Sequence, residues 1–198
     1  LLDVLSDQLA ASGAEVMVAR RQLLDRLLVW AQQLHHEIAA EESKLTFEYC
    51  STPKISEDST VKDVYGQLRK QYHDNQKREI EHGTTLAGPH RDDLKFLIDG
   101  KNVQTFGSQG QQRTTALSVK LAEIDLMKEI TGEYPLLLLD DVLSELDATR
   151  QTHLLAAIQD KVQTFLTTTS LNDVAQHLIN PPTVFDIDHG TLTKEEAK

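Results

Sequence analysis

The sequence holds one cysteine, Cys50, among 198 residues, which excludes an internal disulfide and a cysteine-based zinc site. A reducing compartment, hence the cytosol, is the simplest setting for such a chain. No apolar run approaches the roughly 20 residues that cross a bilayer. No charged-then-apolar leader opens the chain either, so no membrane association is expected. Positive charge is in deficit. Lys and Arg number 20 against 31 Asp and Glu, a formal net charge of −11. That balance excludes a protein that coats nucleic acid by bulk attraction, and it leaves room for a small basic patch or for carboxylates gathered around a metal. Internal repeats and low-complexity segments are absent, and so is the phosphate-cradling loop G-x-x-x-x-G-K-[ST]. Its nearest approach, Gly83 to Gly88, is followed by Pro89-His90 where Lys-Ser/Thr is required.

What is present reads as one or two globular units, with 39% hydrophobic and 26% charged residues. The chain begins at Leu1 inside an apolar pattern that is already helical, as a piece of a longer protein would. Leu24, Leu27, Leu28, Ala31, Leu34 and Ile38 recur at helical spacing, with a kink or break expected at Gly13. Leu45 to Cys50 alternates like a strand. Thr60 is placed to cap a second helix that buries Val64, Tyr65, Leu68 and Tyr72. The polar run to His82 closes a helical region, residues 1–82, and a boundary is expected near Gly83. Residues 83–198 read as an α/β lobe. Leu94 to Ile98, Asp99-Gly100 and Val103 to Phe106 form a hairpin signal. A helix is expected from Gln109 to Thr131, with Leu117, Leu121, Ile124 and Met127 inward and Gly132 as its stop. Leu136 to Leu139 suit a strand buried on both faces. A helix from Ala148 to about Gln159, a strand from Gln163 to Thr168 and a short helix over Leu171 to Leu178 follow. Val184 to Ile187, a turn at His189-Gly190 and a polar tail end the chain.

Three segments can do chemistry. In LLLLDD (Leu136 to Asp141) the carboxylates end a buried strand, where parallel sheets bind ligands. One acid there can hold Mg²⁺ and the second can orient an attacking water; the plain alternative is a solvated turn. Ser144-Glu145-Leu146-Asp147 follows at once, with Asp147 placed to cap the next helix. Ser108-Gln109-Gly110-Gln111-Gln112-Arg113 opens the long helix. Its free N–H groups and glycine suit a phosphate, and its Ser-x-x-Gln spacing equally suits a capping box.

The order FGSQGQQR (Phe106 to Arg113), LLLLDD, SELD resembles the ATPase family shared by ABC transporters, SMC proteins and DNA-repair relatives. GPHRDDL (Gly88 to Leu94) narrows the resemblance to its RecF branch. The match runs from Gly88 to about Thr169, less than half the chain. It implies an α/β fold: a helical region, then the signature-bearing lobe of an ABC-type P-loop ATPase. It also implies ATP and Mg²⁺ as cofactors of the full-length dimer. Ser108, Gly110 and Gln111 would form the signature motif that reaches the γ-phosphate held by a partner subunit. Asp140 would be the Walker B acid serving Mg²⁺, and Asp141 the general base, where SMC relatives carry glutamate. That shorter carboxylate is compatible with slow hydrolysis, with ATP acting as a clamp. Ser144 and Asp147 would belong to the D-loop. Thr168 or Thr169 stands near the switch position, a histidine in many ABC ATPases. The family's activity is ATP-dependent dimerisation of RecF on DNA at junctions of single and double strands. There, with RecO and RecR, it helps a recombinase replace single-strand-binding protein. Lacking a P-loop, this chain by itself is expected neither to hydrolyse ATP nor to bind it tightly.

Other features have plainer readings. His90-Arg91-Asp92-Asp93 fits a turn laced with ion pairs better than a phosphate contact. His35 and His36 diverge on a helix and do not share a metal. Arg20, Arg21 and Arg26, and separately Arg69, Lys70, Lys77 and Arg78, can reach DNA phosphates, yet solvated faces are the default. Tyr65, Tyr72 and Trp30 are packing residues. Three rival functions remain to be weighed. An SMC-like structural protein would need long heptad repeats that this helical region lacks. A nuclease fusion would need a further acidic domain after Thr193. A nucleotide-independent module that binds a partner such as RecR stays open.

Overall fold

The computed structural model describes residues 1–39, 43–159, 161–169 and 182–194. The short helix expected over Leu171 to Leu178 and the tail beyond Lys194 lie outside the described residues. The chain forms two compact units, Leu1–His36 with Glu41–Leu126, and Glu37–Ala40 with Met127–Lys198.

The first unit is organised by two helices, α1 (Leu2–Ala39) and α2 (Val61–His82). Ala10, Ala14, Met17 and Val18 of α1 share a core with Val64, Leu68 and Tyr72 of α2 and with Ala87. Each large aliphatic side chain buried there contributes roughly 1.5–3 kcal/mol. The break expected at Gly13 does not occur, and α1 runs through it. A Cβ at Gly13 would lie 3.3 Å from Leu68 Cδ1 and 3.4 Å from Pro89 Cδ. The missing side chain therefore lets neighbours close in, and that contact outweighs the helix cost of glycine. α2 starts as the sequence indicates: the Thr60 hydroxyl accepts from the Asp63 N–H while the Asp63 carboxylate accepts from the Thr60 N–H.

Strand β1 (Leu45–Cys50) pairs antiparallel with β2 (Asp93–Ile98), Leu45 opposite Ile98 and Cys50 opposite Asp93. Because β1 precedes Gly83 and β2 follows it, the boundary expected near Gly83 falls inside the first unit. The hairpin turn sits at Asp99-Gly100, as expected, but its return strand β3 is only Lys101–Asn102. Val103 to Phe106, expected as a strand, is the single helical turn α3. The Asn102 side chain accepts from the N–H groups of Gln104 and Thr105, and this cap overrides the strand preference of the apolar residues. Helix α4 (Gln109–Thr131) has the expected limits and buries Leu121 and Ile124, while Met127 is left exposed.

In the second unit, β4 (Leu137–Asp140) and β5 (Thr164–Thr167) pair in parallel. A short 3₁₀ turn (Val142–Glu145) and α5 (Ala148–Ile158) make the crossover that parallel pairing requires. The expectation of a strand buried on both faces is not met. Leu139 is 7% exposed but Leu138 is 73% and its neighbour Phe165 is 53%, so among the described residues one face stays open. Alternation along the strand accounts for the difference. β6 (Phe185–Asp188) turns at His189-Gly190 into β7 (Thr191–Lys194), a strand that the polar sequence there did not announce. No helix among the described residues is long and apolar enough to cross a membrane.

Candidate functional site

The signature segment belongs to the first unit. Gln111 N–H donates to the Ser108 hydroxyl at 3.2 Å, and Ser108 N–H donates to Gln111 Oε1 at 3.0 Å. This is the reciprocal capping box that the Ser-x-x-Gln spacing allows. Ser108 remains exposed while it caps, and Gly110 and Gln111 are half-buried on the first turn. A neighbour missed in the sequence fixes the approach to this helix. The Gln112 side-chain amide donates toward the carbonyls of Val103, Gln104 and Gly107 at 3.2–3.3 Å. At Gly107 a Cβ would fall 2.5 Å from the Val103 carbonyl oxygen, so the turn closes only around glycine. The result is a helix start held rigid from two sides with its first turn open to solvent.

The acidic pair lies in the second unit. Parallel pairing sets Asp140 opposite Thr167 at the carboxyl ends of β4 and β5, and Asp140 is exposed. The Thr167 hydroxyl donates to Asp140 Oδ1 at 2.5 Å and accepts from the Asp141 N–H at 3.0 Å. Asp141 adopts a left-handed backbone, φ 50°, which lifts the chain off the strand. Its carbonyl accepts from the Ser144 hydroxyl at 2.8 Å. Asp147 caps α5, accepting from the Arg150 N–H at 3.0 Å and from the Arg150 guanidinium at 2.6 Å. Those bonds, the backbone one foremost, hold its carboxyl below the usual carboxylate range. Gln151 donates to the Leu143 and Leu146 carbonyls and so braces the same loop. Thus Asp140, Asp141 and Ser144 form one chain of contacts, and Asp147 starts the next element. Thr168 is half-buried and Thr169 exposed just beyond; Thr167, one position earlier, contacts both acids. Strand register, invisible without the partner strand, is what selects it.

The GPHRDD segment is a braced turn. Gly88 has φ 114°, and a Cβ there would meet the Tyr72 hydroxyl at 2.8 Å. The Asp92 side chain is fully buried, with Arg20 Nη1 at 3.5 Å, and it accepts from the Tyr49 hydroxyl and the Thr52 N–H. Arg20 also donates to the Pro89 carbonyl at 2.8 Å. Arg91 donates to Thr84 and Thr85, and His90 shares a hydrogen bond with the Thr85 hydroxyl. Burial, then the bond to Asp92 and its charge, push the Tyr49 phenol well above its ordinary value. The folded state therefore keeps a proton that the unfolded chain loses above pH about 10. Its stability is complete below that pH and falls as pH rises through it. Tyr72, raised chiefly by burial, shares the direction. Urea midpoints measured from pH 8 to 11 are expected to drop at the alkaline end, and Tyr49→Phe to flatten that drop.

RecF of Limosilactobacillus reuteri (strain DSM 20016), a DNA replication and repair protein, is 69% identical over 198 residues, 100% of this chain and 53% of the relative. The chain belongs to the RecF family. RecF of Limosilactobacillus fermentum is 64% identical over 196 residues, 99% of this chain and 52% of the relative. The chain thus spans about half the length of the curated RecF proteins it matches. Two solved structures of the recombination mediator protein RecF in the RecFOR pathway, described as RecF-ATPrS and RecF-ATP, superpose with TM-scores of 0.83. They are 33% and 30% identical and cover 98% and 99% of this chain, in each case against 50% of the solved chain. No family model matches.

The expected α/β fold with its helical region is therefore that of RecF. Whether the RecF acids suit Mg²⁺ is decided by their donors. Mg²⁺ keeps much of its water and takes one or two carboxylates plus substrate phosphates rather than a protein cage. Asp140 is an exposed carboxylate beside a second one, and no group of three or more His, Cys, Asp or Glu among the described residues forms a cage. The exposed Asp140 carboxylate fits the kind of donor that Mg²⁺ takes beside water.

Proposed function

We propose that this chain supplies the signature, Walker B and D-loop elements of a RecF ATPase that dimerises around ATP on DNA. The observation that carries the reading is the exposed Asp140–Asp141 pair, tied at a parallel strand end by Thr167. In that reading Asp140 would hold Mg²⁺, directly or through water, and the bound metal would supply charge neutralisation at the phosphates. Asp141 orients the attacking water and takes its proton. Ser108, Gly110 and Gln111 meet the γ-phosphate of ATP bound by a partner subunit, drawn by the open N–H groups of α4. Ser144 and Asp147 line the contact between subunits, and Thr168 or Thr169 senses the γ-phosphate. Binding at single/double-strand junctions and handing over to RecO and RecR during recombinase loading belong to the same reading. The ATP-bound RecF structures and the order of motifs support it.

The test uses the full-length RecF protein that carries this chain. Ser108→Arg puts a long cation where the partner's phosphate would approach. Sedimentation with ATP is expected to show monomers in place of the wild-type dimers, while each monomer still binds ATP. The lost cap costs about 1 kcal/mol of helix stability, which a melt reads separately. Unchanged ATP-driven dimers would remove Ser108 from the interface.

A further inference from the structure

We infer that Thr167 is a positioning residue for the metal-binding acid, an inference that rests on the reading of Asp140 as the Mg²⁺ ligand. A threonine hydroxyl has one proton and two lone pairs. Here the proton goes to Asp140 Oδ1 at 2.5 Å, and a lone pair takes the Asp141 N–H at 3.0 Å. The two bonds do different things. The first fixes the plane of the Asp140 carboxylate and takes one lone pair of Oδ1, which leaves Oδ2 the less committed oxygen for a cation or its water. The second pins the backbone where it leaves β4 in the left-handed conformation, φ 50° at Asp141. One hydroxyl thus sets the metal-side acid and the base-side backbone in a single geometry. Because its proton is committed to Asp140, Thr167 has none to offer a γ-phosphate. Sensing of the phosphate then falls to its neighbours, and Thr167 acts through the two acids it holds.

The position is built for this. Parallel register places Thr167 directly opposite Asp140, so the hydroxyl needs no loop to reach it. Threonine is branched at Cβ and holds few rotamers in a strand, so the hydroxyl is aimed at little entropic cost. Partners that orient a metal's ligands typically matter by about 10–100-fold in metal affinity.

The test is the Mg²⁺ concentration that half-saturates binding of a fluorescent ATP analogue to the full-length RecF protein. Thr167→Val keeps the shape and removes both bonds; it is expected to raise that concentration about tenfold. Thr167→Ser, which keeps the hydroxyl, stays close to wild type, and analogue binding without metal is the same in all three. Thr167→Ala makes the same measurement should the valine variant not fold. Asp140→Asn separates the two levels of the argument. If Asp140→Asn shifts the Mg²⁺ requirement and Thr167→Val does not, the role of Thr167 is wrong and the Walker B reading stands. If Asp140→Asn shifts nothing, the Walker B reading itself fails. A lower melting temperature with an unmoved Mg²⁺ midpoint would mark Thr167 as structural only and overturn the inference.

Discussion

Asp141→Asn in the full-length RecF protein lowers ATP turnover by about 10²–10⁴-fold, the usual worth of a positioned base, and leaves ATP-driven dimers intact. The substitution is clean because of how Asp141 is held. Its backbone N–H donates to the Thr167 hydroxyl, and its backbone carbonyl accepts from the Ser144 hydroxyl. Neither uses the carboxylate. Its backbone is left-handed, a conformation that asparagine tolerates as well as aspartate does. The Asp141→Asn variant would therefore keep the local geometry, the exit from β4 and the Asp140–Thr167 contact, and would lose only the ability to accept a proton. Single-turnover hydrolysis measures the chemical step, and sedimentation with ATP measures the clamp. Turnover within a factor of about two of wild type would remove Asp141 from the chemistry. Joint loss of turnover and dimers would show instead that its charge is needed for assembly.

The same residues show how far the sequence could be read. Helix limits were legible at Thr60, Ser108, Gly132 and Asp147, where a local capping chemistry marks them. The strands Leu45–Cys50 and Leu137–Asp140 were legible from alternation and an apolar run, though not the pairing of the second or its open face. Local rules failed where two of them competed. At Val103 to Phe106 an asparagine cap defeated strand propensity, and at Gly13 close packing defeated helix propensity. They also failed where the answer is tertiary. Nothing near Thr167 in the sequence names Asp140 as its partner, because 27 positions separate them and only register joins them. The same holds for Arg20 and Asp92, joined across 72 positions by a fold that the charge pattern does not encode.

That last pair carries the largest stability effect expected in the first unit. Asp92→Ala removes a carboxylate with no solvent exposure and strands everything that points at it. The Tyr49 hydroxyl and the Thr52 N–H lose their acceptor, and the Arg20 guanidinium loses its counter-charge. Breaking one side of a buried ion pair costs about 3–5 kcal/mol. The Arg20 side chain is 39% exposed, so water softens that part, and about 2–4 kcal/mol is expected. An internal control lies one residue away. Asp93 is exposed and, among the described residues, its carboxylate accepts only from the next N–H in the chain, that of Leu94, so Asp93→Ala is expected to cost no more than about 0.5 kcal/mol. Two adjacent acids of the same motif should thus differ severalfold in urea unfolding. The cause is also separable, because Asp92→Ala and Tyr49→Phe share one hydrogen bond and should couple by about 0.5–3 kcal/mol in a double-mutant cycle. Equal losses at positions 92 and 93, or additive effects of 92 and 49, would mean that the GPHRDD turn is held by something other than this buried carboxylate.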